Sequence, residues 1–124
     1  MSGVGDALRE VTESIKDEMQ DRGWYLGGRQ PRYDRPTDWD VNNGMCEEWA
    51  ISALEALGSS AYAREPSPDG PYMAWLEEFD ARYEDYSHCV VYLNGKYYDA
   101  QVPDGVDALE DLPLLKGIPR APEP

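Results

Sequence analysis

His88-Cys-Val-Val-Tyr-Leu-Asn-Gly-Lys-Tyr-Tyr-Asp-Ala-Gln-Val102 decides the fold. Asn94-Gly95 stands between two runs rich in β-branched and aromatic residues. That is the strongest short hairpin signal a sequence offers, and it asks for a type I′ turn. With the turn there, Leu93 pairs with Lys96, Tyr92 with Tyr97, Val90 with Asp99 and His88 with Gln101. Side chains alternate along a strand, so His88, Val90, Tyr92, Tyr97, Asp99 and Gln101 share one face. His88 and Asp99 are then diagonal neighbours ~7–8 Å apart, a gap their side chains can bridge. Cys89 points to the opposite face, away from any partner of His88, and reads as a small buried residue. Pro103 and Gly105 close the hairpin, which spans 88–102.

Upstream, Val4, Leu8, Val11, Ile15 and Met19 recur at three- and four-residue intervals among charged residues, which predicts an amphipathic helix over 3–22. Residues 24–42 carry Gly27-Gly28, Pro31, Pro36 and the aromatics Trp24, Tyr25, Tyr33 and Trp39. They read as a long loop that wraps the domain and lines a cleft. A second helix is expected over 43–57, with Asn43 as N-cap and Gly58 just past its end. Cys46, Ala50, Ala53 and Leu57 form its apolar stripe, extended by Trp49 and Leu54. After a Pro/Ser/Gly loop at 64–71, Pro71 opens a third helical pattern over 71–83 through Trp75, Phe79 and Tyr83. Val106 to Leu115 adds a short helix, and 117–124 reads as a flexible tail. Residues 1–116 are thus expected to form one α+β domain, N-terminal helices packed on a short antiparallel sheet.

At 124 residues the chain supports a single core. Its net charge of −14 is uneven: residues 1–44 hold nine acids and six bases, residues 45–124 sixteen and five. Phosphate contacts need clustered Lys and Arg, so no nucleic-acid partner is expected. An acidic surface suits solubility in a salt-rich cytoplasm, a basic partner, or mimicry of DNA's charge on a basic protein groove. The N-terminus lacks a basic and then apolar leader, and no apolar run approaches the ~20 residues of a membrane span. A cytoplasmic protein without membrane contact is therefore expected, with Cys46 and Cys89 as free thiols.

Asn43-Gly44-Met45-Cys46-Glu47-Glu48-Trp49-Ala50 carries the chemistry. A thiol in the first turn of a helix faces unpaired N–H groups and the positive end of the dipole, both of which favour the thiolate. Glu47 and Glu48 work against it. A histidine opening one strand and an aspartate on the matching face of the next supply a base and its orienter, with Gln101 a rival to Asp99. Backbone N–H groups near Cys46, with Asn42 or Asn43, are candidates for stabilising an oxyanion, and Trp49 is a supporting candidate. One histidine and two cysteines on different faces do not make a zinc site, so neither metal nor cofactor is expected.

Gly44-Met45-Cys46 with Ala50, His88-Cys-Val-Val-Tyr, and Tyr98-Asp99-Ala100 resemble the papain-like cysteine enzyme superfamily, in particular its transglutaminase-like branch. Asp99-Ala-Gln101 is also similar to papain-fold deamidase toxins, where a glutamine closely follows the aspartate. The resemblance spans residues 42–102. It implies a small papain/transglutaminase-like domain with Cys46 as nucleophile, His88 as general base and acid, and Asp99 as orienter. It further implies a thioester intermediate formed on an amide of a peptide or protein, a basic one given the charge of the chain. Water as acceptor makes a peptidase, amidase or deamidase; an amine makes a transferase. A compact acidic domain of this kind suits a phage or virus. The competing expectation is a non-enzymatic acidic protein, a DNA mimic among them, occupying a basic surface.

Overall fold

The computed structural model describes residues 3–24, 32–62 and 67–117. Part of the aromatic loop (25–31), part of the loop before Pro71 (64–66) and the tail beyond Gly117 lie outside the described residues.

The expected amphipathic stripe forms α1, Val4–Asp21, whose buried residues are Leu8, Thr12, Ile15 and Met19. Next come α2 (Asp38–Gly44) and α3 (Cys46–Ala56), separated by Met45 alone. The sheet is an antiparallel meander in chain order: β1 (Tyr72–Trp75), β2 (Cys89–Leu93), β3 (Lys96–Asp99) and β4 (Val102–Val106). Two short helices, α4 (Leu76–Phe79) and α5 (Pro113–Gly117), complete an α+β domain with helices packed on an antiparallel sheet. No helix among the described residues is long and apolar enough to cross a membrane.

The hairpin forms as its sequence dictates. Asn94 (φ 50°) and Gly95 (φ 84°) both adopt the left-handed conformation that a type I′ turn requires. Leu93 pairs with Lys96 and Tyr92 with Tyr97, and the ladder continues through Val91 and Tyr98. Alternation then sends successive residues of β2 into two different cores. Cys89 and Val91 join Leu8, Ile15 and Met19 of α1 and Trp49, Ala50, Ala53 and Leu54 of α3. Val90 joins Leu76, Tyr83, Leu109, Leu112 and Leu115 on the other face. Each fully buried large side chain contributes about 1.5–3 kcal/mol, so β2 anchors both layers.

Several expectations are corrected. Residues 71–83 are not one helix. Tyr72–Trp75 pair with Tyr92–Cys89, and the Tyr72 and Tyr92 rings meet at 5.2 Å. The helical spacing of Trp75 and Phe79 spans the junction between β1 and α4. The loop expected over 24–42 ends early, because Thr37 and Asp40 form a reciprocal capping box that starts α2 at Asp38. Asn43 therefore lies inside α2, and the N-cap of α3 is Met45, which gives it no side-chain hydrogen bond. Val102–Val106 form an edge strand, where Pro103 is tolerated, instead of closing the hairpin. Gly105 (φ 82°) lies under the Tyr98 ring, where a Cβ would sit 2.7 Å from ring carbon. Beyond Val106, a 3₁₀ turn at Leu109–Asp111 and α5 replace the single helix expected to Leu115.

Candidate active site

His88 immediately precedes β2, and Asp99 ends β3, so the two sit at the same end of the sheet. The side-chain alternation expected from the hairpin brings them together: His88 Nε2 lies 3.0 Å from Asp99 Oδ2, with both residues at most 1% exposed. An ionised carboxylate only accepts, so Nε2–H donates and Nδ1 of a neutral ring is left as an acceptor. Asp99 is itself fixed. Its Oδ1 accepts the backbone N–H groups of Gln101 at 2.9 Å and Val102 at 3.1 Å, folding the turn between β3 and β4 around the carboxylate. The register shift in this part of the β3–β4 ladder makes room for that turn.

Cys46 is the first residue of α3, half-buried at the rim of the helix-side core. Its Sγ makes a long contact of 3.9 Å with the carbonyl oxygen of Ser87, the residue before His88. Nδ1 of His88 is buried without a hydrogen-bond partner among the described residues. The thiol thus rests on the carbonyl of the residue before His88, within electrostatic reach of the imidazole. Burial disfavours the imidazolium, but the hydrogen bond to Asp99 and the proximity of Asp99 and Cys46 outweigh it and raise the His88 pKa from 6.5 to about 9.

Cys89 differs from expectation in placement. It faces the same helix-side core against which Cys46 packs, because α3 covers that face and its first turn reaches round the sheet end to His88. The alternation of His88 and Cys89 holds; the inference that Cys46 lies on the His88 side of the sheet does not. Both thiols are free, and burial, reinforced by the charges of Cys46, Glu47 and Glu78, pushes Cys89 up to about 12. Cys89 is an inert core residue at neutral pH.

The supporting candidates separate clearly. Asn42, 2% exposed, accepts the Ala100 N–H at 3.0 Å and donates to Gln101 Oε1 at 2.8 Å. Its amide ties the helix segment before Cys46 to the turn after Asp99, so both of its hydrogen-bonding groups are committed. Gln101 Oε1 accepts that bond, and Asp99, not Gln101, holds the His88 ring. Trp49 is fully buried and donates to Thr12 Oγ1 at 2.8 Å, locking α3 to α1 away from the chemistry. Asn43 is exposed and lines a groove of about 490 Å³ with Trp24, Arg32 and Trp39. With Met45 providing no cap, first-turn N–H groups of α3 are the donors available to an oxyanion at Cys46. The Ser87 carbonyl and the Asn42 tether had no signal in the sequence, since both depend on contacts between distant segments.

No group of three His, Cys, Asp or Glu side chains among the described residues is arranged to hold a metal ion. No protein-family model, no curated protein and no solved structure matches this chain, so the site stands on its own geometry.

Proposed function

We propose that the chain is a small cysteine-dependent hydrolase or acyltransferase acting on an amide of a peptide or protein, and a compact relative of the papain-like, transglutaminase-like enzymes. The observation that carries this reading is the buried His88–Asp99 pair whose second imidazole nitrogen is left unpaired beside a thiol at a helix start. A partnerless buried nitrogen costs about 1–3 kcal/mol in a purely structural role, and a place for the Cys46 proton accounts for it.

In the reaction, His88 Nδ1 holds the proton that Cys46 has given up, as its raised pKa favours, and the thiolate sulfur attacks the amide carbonyl carbon. The C=O electron pair moves to oxygen, which the first-turn N–H groups of α3 stabilise. Collapse breaks the C–N bond, and His88 returns its proton to the leaving amine or ammonia, leaving a thioester on Cys46. Water or an amine, deprotonated by His88, then releases the acyl group and restores the thiol. Asp99 holds the ring and stabilises the imidazolium throughout without itself taking the proton.

Alkylation with iodoacetamide near pH 7, read by peptide mass mapping, tests the reading. Cys46 is expected to react much faster than Cys89, and His88→Ala to slow it. Equal, sluggish labelling of both thiols overturns the activated nucleophile. Binding of a basic partner that survives Cys46→Ala and is lost on adding salt instead identifies the acidic binding protein.

A further inference from the structure

A groove of about 350 Å³ runs along β1, one of the two edge strands of the sheet, beside the nucleophile. Its apolar wall is made by Ile51 of α3 and by Met73 and Trp75 of β1, and the exposed Tyr62 stands at its side. Glu47, the residue after Cys46, and Glu78 in α4 place two carboxylates on it. Trp75 pairs with Cys89, and the Leu76 N–H donates to the His88 carbonyl at 3.0 Å, so one end of the groove abuts the catalytic histidine. The charge on the Cys89 thiol is raised in cost by Cys46, Glu47 and Glu78 together, which places both carboxylates in electrostatic reach of the nucleophile's surroundings.

Neither carboxylate forms an ion pair among the described residues. The larger groove beyond Asn43 differs in this respect. Its Arg32 is paired with Asp34 and stacked on Trp24, and its Asp40 is held by the Thr37 cap. The β1 groove combines an apolar floor with two carboxylates that have no ion-pair partner among the described residues. That combination matches a long cationic side chain, whose methylene stem covers apolar surface while its head meets carboxylates.

We infer that the groove formed by Glu47, Ile51, Met73, Trp75 and Glu78 is a specificity pocket for an arginine or lysine side chain of the substrate, within two residues of the amide that Cys46 attacks. This rests on the cysteine-enzyme reading above and names its substrate class. It also gives Glu47 a reason to stand beside a thiolate that it otherwise disfavours: its charge serves recognition of the cationic side chain. Glu78 has a second role, since its Oε2 accepts the Trp75 N–H at 2.7 Å, and a glutamine there keeps an acceptor for that bond.

The test uses short peptidyl chloromethyl ketones carrying arginine, or its neutral isostere citrulline, at the first or second residue from the electrophile. The readout is the rate of Cys46 alkylation. Arginine is expected to react about tenfold faster than citrulline at one of the two positions, the scale of two partly exposed ion pairs acting together. In Glu47→Gln/Glu78→Gln the ratio falls to near one, and in Glu47→Lys/Glu78→Lys a glutamate probe overtakes the arginine probe. Ratios cancel any change in the intrinsic reactivity of Cys46. A reactive Cys46 with equal arginine and citrulline rates at both positions overturns the pocket and leaves the enzyme reading standing. So does an arginine preference that persists in the double glutamine variant. A Cys46 no more reactive than Cys89 towards iodoacetamide sinks the enzyme reading itself.

Discussion

In the proposed reaction Nδ1 of His88 carries the proton of Cys46, and the protonation of this ring sets two expected pH dependences. The imidazole pKa is raised from 6.5 to about 9 against the burial that opposes it, chiefly through its hydrogen bond with Asp99. A group raised in the folded state contributes stability that is fully present below its unfolded pKa and is lost as pH climbs through the folded one. The denaturation midpoint is therefore expected to fall between pH 6.5 and about 9 in the native protein, and this component to vanish in His88→Gln. The proposed amide turnover needs a protonated His88 to release the leaving amine, and is expected to decline over an alkaline limb near the same value. Asp99→Asn tests the orienter. Asparagine keeps an oxygen for the Gln101 and Val102 N–H groups, but turns an NH₂ donor towards Nε2. The ring then flips its tautomer, places a proton on Nδ1, and loses the ability to accept one from Cys46. Turnover should drop on the order of 10²–10⁴-fold with the fold intact by circular dichroism; a loss of less than threefold would show that Asp99 is a structural residue only.

At the scale of elements, the site depends on how α2 and α3 are joined to the turn after β3. Asn42 makes that join with two hydrogen bonds across 58 and 59 residues of sequence. Asn42→Ala leaves the Ala100 N–H and the Gln101 amide without their partner, at a cost of about 1–3 kcal/mol in urea unfolding. Asn42→Asp keeps the acceptor for Ala100 and recovers part of that stability. An alanine variant as stable as the native protein would mean the tether carries nothing. How far the sequence could be read also divides at this scale. The α1 stripe and the Asn94-Gly95 hairpin are governed by local rules of period and turn, and His88 meets Asp99 because side-chain alternation carries the pairing through from Leu93–Lys96. β1 was illegible because Tyr72–Trp75 is extended only by virtue of pairing with β2, which local spacing does not report. The start of α2 was legible in Thr37-x-x-Asp40 but hidden by the aromatic and proline content around it. The side of the sheet on which Cys46 sits depends on helix packing, and no strand register encodes that.

For the whole molecule, the question is whether charge stabilises or strains the fold. The N-terminal helices use their cations well: Lys16 meets Asp38 at 2.5 Å, Arg9 meets Asp104 at 2.5 Å, and Arg35 pairs with both Glu13 and Asp17. Residues 45–124 hold sixteen acids against five bases, so the carboxylates there far outnumber the cations. Exposed ion pairs each contribute only about 0–1 kcal/mol, whereas the repulsion of a net charge of −14 acts across the entire surface. Repulsion should therefore dominate. Raising salt from about 0.01 M to about 0.1 M shortens the screening length from about 30 Å to about 10 Å, which weakens long-range repulsion more than contact pairs. At pH 7 the thermal midpoint is expected to rise over that range. The gain should shrink as pH approaches the isoelectric value of about 4.2, where the excess negative charge disappears. A midpoint that falls with salt at pH 7 would mean that the ion pairs around α1 outweigh the acidic excess, and that the unpaired carboxylates of the β1 groove are compensated in solution.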